Sequence, residues 1–124
     1  MKYTLTITGR LPGLNEIITA NRSSKYEAAK QKKDVEGMIM WYIREQLKGV
    51  KIDKPVRLTH YFYEPSRRRD MDNIAAGGHK FIWDSLVRAG ILKNDGWSEI
   101  ESYRDCFAVD EIQPRIVVEI EYDA

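Results

Sequence analysis

Cysteine is nearly absent from this chain of 124 residues, which contains Cys106 alone. A single cysteine cannot form an internal disulfide, so we expect a passive, half-buried thiol. No cluster of cysteine and histidine predicts a zinc site. An excess of one charge is also missing, because 20 Lys and Arg residues are balanced by 19 Asp and Glu residues, for a net charge of +1. A basic nucleic-acid-binding surface could therefore arise only from local clustering.

Long apolar runs are absent too. The segment Lys2–Gly9 alternates threonines with Tyr3, Leu5 and Ile7, unlike the continuous apolar stretch of a signal peptide or a membrane span. We therefore expect a cytoplasmic protein. The content of 43% hydrophobic and 31% charged residues is that of an ordinary globular protein. We predict a single domain over residues 1–124, which is long enough to bury its own core.

The spacing of apolar residues predicts an α+β fold, with a small mixed sheet of about four strands packed against two main helices. Ser24 and Glu27 form a capping box that predicts a helix start. The segment Pro55–Tyr63 is apolar on both faces, which is typical of a central strand. The predicted elements are a strand over Lys2–Gly9, a loop over Leu11–Ser23, a helix from Ser24 to about Lys48, a strand over Pro55–Tyr63, a helix from about Gly78 to Ala89, and strands near Glu99–Phe107 and Arg115–Tyr122.

An acidic pair follows the predicted central strand. Asp70 and Asp72 are two positions apart and precede Asn73. In extended backbone such side chains point the same way, and two carboxylates on one side repel unless a cation or a proton intervenes. Hard oxygen ligands at this spacing suit Mg²⁺ or Mn²⁺, with water and phosphate completing the coordination. The alternative is structural, with these polar residues capping the next helix.

Basic residues flank this pair. Three arginines stand directly before it: Arg67, Arg68 and Arg69. They form either a solvated loop or a surface that attracts a polyanion to the cation. Lys80 lies in the next predicted helix, where it either reaches a phosphate or pairs with Asp84 on the helix surface. Asp95 lies in a later turn, and its distance from Asp72 depends on where the next strand enters the sheet.

The histidines and the remaining lysines allow two interpretations each. His60 fits a packed strand residue better than a metal ligand. His79 adjoins Lys80 and is either an exposed residue or a phosphate contact. Four lysines near the start of the first helix form either a solvated face or a phosphate-contacting surface; they are Lys25, Lys30, Lys32 and Lys33.

In this order the residues resemble the RusA family of Holliday junction resolvases. The family pattern is an Asp-x-Asp-Asn run after a strand, a Lys on a helix, an Asp-x-Leu run, and an Asp in the loop before the next strand. The matching residues here are Asp70–Asn73, Lys80, Asp84–Leu86 and Asp95. The layout is similar over nearly the whole chain. The segment Ala75–Gly78 looks like an insertion before Lys80, and its two glycines predict a flexible loop.

The resemblance implies a Mg²⁺-dependent endodeoxyribonuclease, with Mn²⁺ as a substitute, that resolves four-way DNA junctions by paired symmetric nicks in recombination and repair. It implies a homodimer, and a phage or prophage origin would fit. The implied metal ligands are Asp70, Asp72 and Asp95, and Lys80 joins them as a catalytic residue. The implied DNA contacts are Arg67, Arg68, Arg69, Lys80 and His79. The alternative is a branched-DNA-binding protein of the same fold that is non-catalytic or has another specificity.

Overall fold

The computed structural model describes residues 1–124. Three helices and four strands follow one another along the chain. They are β1 (Lys2–Thr8), α1 (Leu14–Ser23), α2 (Lys25–Gln46), β2 (Val56–Glu64), α3 (Met71–Arg88), β3 (Ile100–Val109) and β4 (Arg115–Glu121). The predicted α+β class is confirmed, with α1 as an additional helix. None of the helices combines the length and the apolar character that crossing a membrane requires.

The strands form one mixed sheet in the order β1-β4-β2-β3. Strand β4 is antiparallel to both β1 and β2, whereas β2 and β3 are parallel. β2 is therefore interior, as its two apolar faces predicted, and β3 forms an edge. Because α3 connects the parallel pair, it begins beyond the last residue of β2 and returns to the level of the first residues of both strands.

The core lies between one face of the sheet and the helices. Along β2 every second side chain is buried, beginning with Val56 and Leu58. Ile39 and Ile43 of α2 and Phe81 of α3 pack against this face. Each large apolar side chain removed from water contributes about 1.5–3 kcal/mol to folding. The opposite face of the sheet carries no helix, so its side chains remain partly exposed.

The region predicted as a loop over Leu11–Ser23 contains α1, so that prediction is wrong from Leu14 onward. Pro12 and Gly13 indeed break the pattern, but they stand before the helix. Ile17 is buried, and this packing outweighs the weak helix propensity of the polar residues around it. Ser24 separates α1 from α2, and its Oγ accepts the amide of Glu27 at 3.0 Å, as the capping box predicted.

Helix α3 begins at Met71 rather than near Gly78, and the predicted flexible loop over Ala75–Gly78 is wrong. Gly77 and Gly78 are buried within the helix. A side chain at Gly77 would collide with the carbonyl of Pro12, and a Cβ at Gly78 would lie 2.6 Å from Cε1 of Phe62. The glycines therefore permit close packing of α3, which offsets their unfavourable helix propensity of about 1 kcal/mol each.

Candidate metal and nucleic-acid site

Asp70 and Asp72 lie at the amino-terminal end of α3. Asp70 is the N-cap residue, with φ −71° and ψ 152°, and Asp72 lies in the first turn. Because α3 starts at Met71, the two carboxylates extend from the start of a helix. The expectation that they project from one side of an extended strand is therefore wrong. Both side chains are exposed.

Asp70 does not act as a conventional cap, because its carboxylate accepts no hydrogen bond from the helix amides. The structural alternative for this residue, acidic capping, therefore lacks its defining contact. Two exposed carboxylates with available lone pairs match the hard oxygen ligands that a hydrated Mg²⁺ prefers.

A cleft of about 720 Å³ opens beside Asp70, between the start of α3 and the end of β3. Its lining includes Met71 and Arg67 from the acidic end, and Phe107 and Val109 from β3. Glu64, Arg69 and Asp70 also line it, so the cleft combines two carboxylates, two guanidinium groups and apolar walls. This combination suits a phosphate ester with an attached apolar moiety better than a purely apolar ligand.

The three arginines fall into two kinds. Arg67 and Arg68 are exposed and are absent from the ion pairs of the chain, so their guanidinium groups are available to an anion. Arg69 is 14% exposed and contacts Glu64 through two hydrogen bonds, from Nε at 3.0 Å and from Nη2 at 2.8 Å. Burial lowers the pKa of Arg69, but the contacts with Glu64 and Glu16 together outweigh it and raise the pKa overall.

Asn73 connects the acidic end of α3 to the segment Leu11–Glu16. Its Oδ1 accepts the backbone amide of Asn15 at 2.8 Å, and its side chain packs against Gly13. Asn73 is therefore not the helix cap considered from the sequence, since Asp70 holds that position. It is a bridge between α3 and the start of α1.

Lys80 lies on the same helix as the acids, about 12 Å along the axis from Asp72. It is exposed. The ion pairs between residues four apart occur in α2 only, so the alternative pairing of Lys80 with Asp84 is not formed. The lysine remains available to an anion on the outer surface of α3.

The structure does not bring Asp95 together with Asp70 and Asp72 in one chain. The turn that contains Asp95 precedes β3, because Gly96 O accepts the amide of Ile100 at 2.9 Å. Val56, the first residue of β2, donates its amide to the carbonyl of Glu99. The turn thus lies at the start of β2 and β3, whereas the acid pair lies beyond their ends. The 18 residues of α3 correspond to about 27 Å between these two levels.

A hydrogen-bonded cluster joins β2, α3 and β3. His60 is fully buried, as expected of a packed strand residue, and His79 and Asp105 are half-buried. Nδ1 of His60 and Nε2 of His79 lie 2.9 Å and 2.8 Å from the same carboxylate oxygen of Asp105. The indole of Trp83 donates to Nε2 of His60 at 3.1 Å.

The pattern of donors determines what this cluster does. The ligand atoms of His60, His79 and Asp105 lie within 4.8 Å of one another, as in a metal site. However, Trp83 can only donate, so Nε2 of His60 accepts and Nδ1 carries the proton. A metal on Nδ1 of His60 would place the ring proton on Nε2, where it would face the indole N–H of Trp83. A metal-bound histidine normally donates through its second nitrogen to an acceptor, which is missing here. The cluster is therefore a hydrogen-bonded network that fastens α3 to the sheet.

The network shifts the pKa values of two of its members. Burial lowers the pKa of His79 below its ordinary 6.5, although Asp105 opposes this. Burial alone would raise the pKa of Asp105, but the hydrogen bonds from His60 and His79 outweigh it and lower the pKa. Above pH 6.5 the network therefore contains a neutral His79 beside an ionised Asp105. Asp105 is not predictable from the sequence, because nothing there indicates which β3 residue faces α3.

The fold and the site define a small α+β domain with an exposed carboxylate pair at a helix start, beside a cleft with basic and apolar walls. This arrangement is suited to a divalent cation and a phosphate diester. The family model described as Endodeoxyribonuclease RusA matches residues 12–121, and the chain belongs to this family. The resemblance noted from the Asp-x-Asp-Asn run is thereby confirmed.

A curated relative has the same family name. The Crossover junction endodeoxyribonuclease RusA of Aquifex aeolicus (strain VF5) is 39% identical over 61 residues. The alignment covers 48% of this chain and 45% of that protein. The chain therefore matches about half the length of this relative.

Proposed function

We propose that this chain is a Mg²⁺-dependent endonuclease that cuts four-way DNA junctions by paired symmetric nicks, in the cytoplasm, during recombination and repair. Membership of the endodeoxyribonuclease RusA family supports the nuclease activity. The observation that carries the assignment of the site is the pair Asp70 and Asp72, exposed at a helix start. The relative named a crossover junction endodeoxyribonuclease supports the junction as substrate.

Asp70 and Asp72 would hold the cation through their carboxylates. When bound, a divalent cation supplies a Lewis acid for the phosphate and an activated water. Mn²⁺ has similar ligand preferences and is expected to substitute. Asp70 lines the cleft and would position this chemistry there, and Phe107 and Val109 form an apolar part of its wall.

Arg67, Arg68 and Lys80 would contact the DNA backbone. All three are exposed, and the arginine fork matches phosphate geometry. His79 stays a prediction as a DNA contact. Its Nε2 is occupied by Asp105, so only Nδ1 is available to a ligand.

The position of Asp95 has a consequence for the homodimer. Asp95 can share a cation with Asp70 and Asp72 only if a second copy supplies it. The edge strand β3 offers a route, because its start follows the Asp95 turn and its end borders the cleft. Antiparallel pairing of two copies along this edge would bring Asp95 of each to the acid pair of the other. A two-fold dimer would also provide the two symmetric cuts.

The second candidate function is a branched-DNA-binding protein without cleavage. The observation that favours it is the incomplete acid set of a single chain, in which Asp95 lies at the far end of α3. If no dimer completes the site, basic residues would still bind a junction electrostatically. Loss of cleavage with retained binding would distinguish this candidate.

The test is incubation of a synthetic four-way junction with the protein and Mg²⁺, beside a linear duplex and a flap of the same sequence. The proposal predicts paired nicks at symmetric positions of the junction and little cutting of the duplex. Equal cutting of the flap would point to a nuclease for other branched DNA. Binding without nicks at any Mg²⁺ concentration would favour the non-catalytic candidate.

A further inference from the structure

We infer that Arg69 is a positioning residue that holds the acidic loop in place, and that only the other two of the three consecutive arginines, Arg67 and Arg68, serve as backbone contacts for DNA. The inference rests on the proposed function, because it assigns roles within the same site. It separates three consecutive arginines that the sequence alone does not distinguish.

The contacts of Arg69 leave its guanidinium little capacity for a phosphate. Nε and Nη2 donate to the two carboxylate oxygens of Glu64 in a bidentate pair. Nη1 donates to the carbonyl of Leu11 at 2.9 Å and to Glu16 at 3.2 Å. These bonds use four of the five N–H donors that a guanidinium possesses. Glu64 is 7% exposed and Arg69 is 14% exposed, so the pair is shielded from solvent.

Arg69 is also the only side chain of the connection between β2 and α3, residues 65–70, that hydrogen-bonds to a distant part of the chain. The other side-chain bond in this connection is local, from the amide of Arg68 to Ser66. Asp70 follows Arg69 directly, so fixing the arginine side chain inward fixes the backbone from which the Asp70 carboxylate extends. Without this tie the connection would be held only at its two ends.

A second tie reaches the same neighbouring segment. Asn73 accepts the amide of Asn15, and Arg69 reaches Leu11 and Glu16. The acid pair is thus bracketed by two residues that both contact the segment Leu11–Glu16. Displacing a reacting group by about 1 Å can cost about 100-fold in rate, which is the scale of effect expected from loosening this loop.

The experiment uses the full chain and substitutes lysine for arginine at two positions. Arg69→Lys keeps the charge but loses the fork that contacts Glu64. Arg22→Lys, at an exposed position of α1, is the matched control. The readouts are the nicking rate at saturating junction, the salt dependence of junction binding, and Mn²⁺ binding without DNA. Thermal unfolding of each variant reports whether it is folded.

For Arg69→Lys we expect a loss of about 100-fold in the saturated nicking rate and weaker Mn²⁺ binding. Arg69→Gln, which also removes the charge, should leave the salt slope of junction binding unchanged. Arg68→Ala should instead lower the magnitude of the slope by about 0.9, the value for one lost phosphate contact. A slope that is lowered by a similar amount in Arg69→Gln, or an intact nicking rate and Mn²⁺ affinity in Arg69→Lys, would overturn the inference. If Arg69→Lys does not fold, the same measurements on Glu16→Gln decide, with a severalfold loss of rate and of Mn²⁺ affinity expected.

If the proposed nuclease function is wrong, the measurements differ from those expected when only the role of Arg69 is wrong. A wild-type protein that binds Mn²⁺ through Asp70, but nicks no DNA, would refute the nuclease proposal. The comparison of Mn²⁺ affinity between wild type and Arg69→Lys would still test the role of Arg69. Equal Mn²⁺ affinity in the two proteins would overturn that role.

Discussion

Trp83 donates its indole N–H to Nε2 of His60 at 3.1 Å. This bond fixes the tautomer of a buried histidine and thereby makes its other nitrogen a donor to Asp105. Asp105 also accepts from His79, so one carboxylate connects β2 and α3 to the edge strand β3. The network thereby fastens α3, which carries the acid pair at its start, to the sheet.

The network predicts that acid destabilises the protein in two stages. The pKa of His79 is below its ordinary 6.5 in the folded chain. As the pH falls below 6.5, the unfolded chain therefore takes up a proton that the folded chain does not, and stability declines. Asp105 has a pKa below its ordinary 3.8, so its contribution is lost only below that pH. Urea denaturation between pH 7.5 and 3 measures both stages.

The control for the first stage is His79→Gln, which retains an N–H donor but does not titrate. Its urea midpoint should stay flat from pH 6.5 down to the range where carboxylates protonate. A wild-type profile that is already flat over this interval would contradict the assignment of neutral His79.

Two helical glycines, Gly78 in α3 and Gly37 in α2, should respond in opposite ways to substitution by alanine. A Cβ at Gly78 would lie 2.6 Å from the ring of Phe62, so Gly78→Ala should destabilise the protein by about 1–3 kcal/mol through overpacking. Gly37 lies in the middle of α2 with nothing within 4 Å of an added Cβ. Gly37→Ala should therefore stabilise it by about 0.5–1 kcal/mol through helix propensity. Equal effects of the two substitutions in urea denaturation would disprove the packing argument.

The position of Asp95 predicts the behaviour of mixed dimers. Asp70→Asn and Asp95→Asn should each abolish nicking alone. After the two proteins are mixed and allowed to exchange subunits, a heterodimer would carry both changes in one site and neither in the other. We therefore expect single nicks on a strand-labelled junction and no paired nicks.

Two results of this mixing experiment would argue against a site shared between two chains. One is full activity of Asp95→Asn, which would remove Asp95 from the site. The other is the continued inactivity of the mixture under conditions where wild-type subunits exchange.

Features that depend only on residues close together in the sequence could be predicted. The Asp-x-Asp-Asn run identified the family because its residues are adjacent in the sequence, and Ser24 marked the start of α2 because a cap is a local contact. The position of α3 was not predictable in this way. Gly77 and Gly78 indicate a loop by propensity, and only their contacts with Pro12 and Phe62 explain why they are helical.

In the site, too, some residues could be selected from the sequence and others depend on how the elements pack. The exposed carboxylates Asp70 and Asp72 could be selected from the sequence, whereas the distance of Asp95 from them depends on β3 lying parallel to β2. The sequence also does not distinguish Arg69 from Arg68, because the difference arises from Glu64 and Glu16 on other elements. Asp105 became visible only through the register that places it beside His60.

The most direct test of the central claim is the Mg²⁺-dependent nicking rate of a four-way junction by wild type and by Asp70→Asn, measured with junction binding in the same samples. Asp70→Asn should lose nicking by about 100-fold or more. It should bind the junction at least as tightly as wild type, because a charge that repels phosphate has been removed. Full nicking by Asp70→Asn would contradict the account, since the carboxylate pair would then be no more than a feature of the helix start.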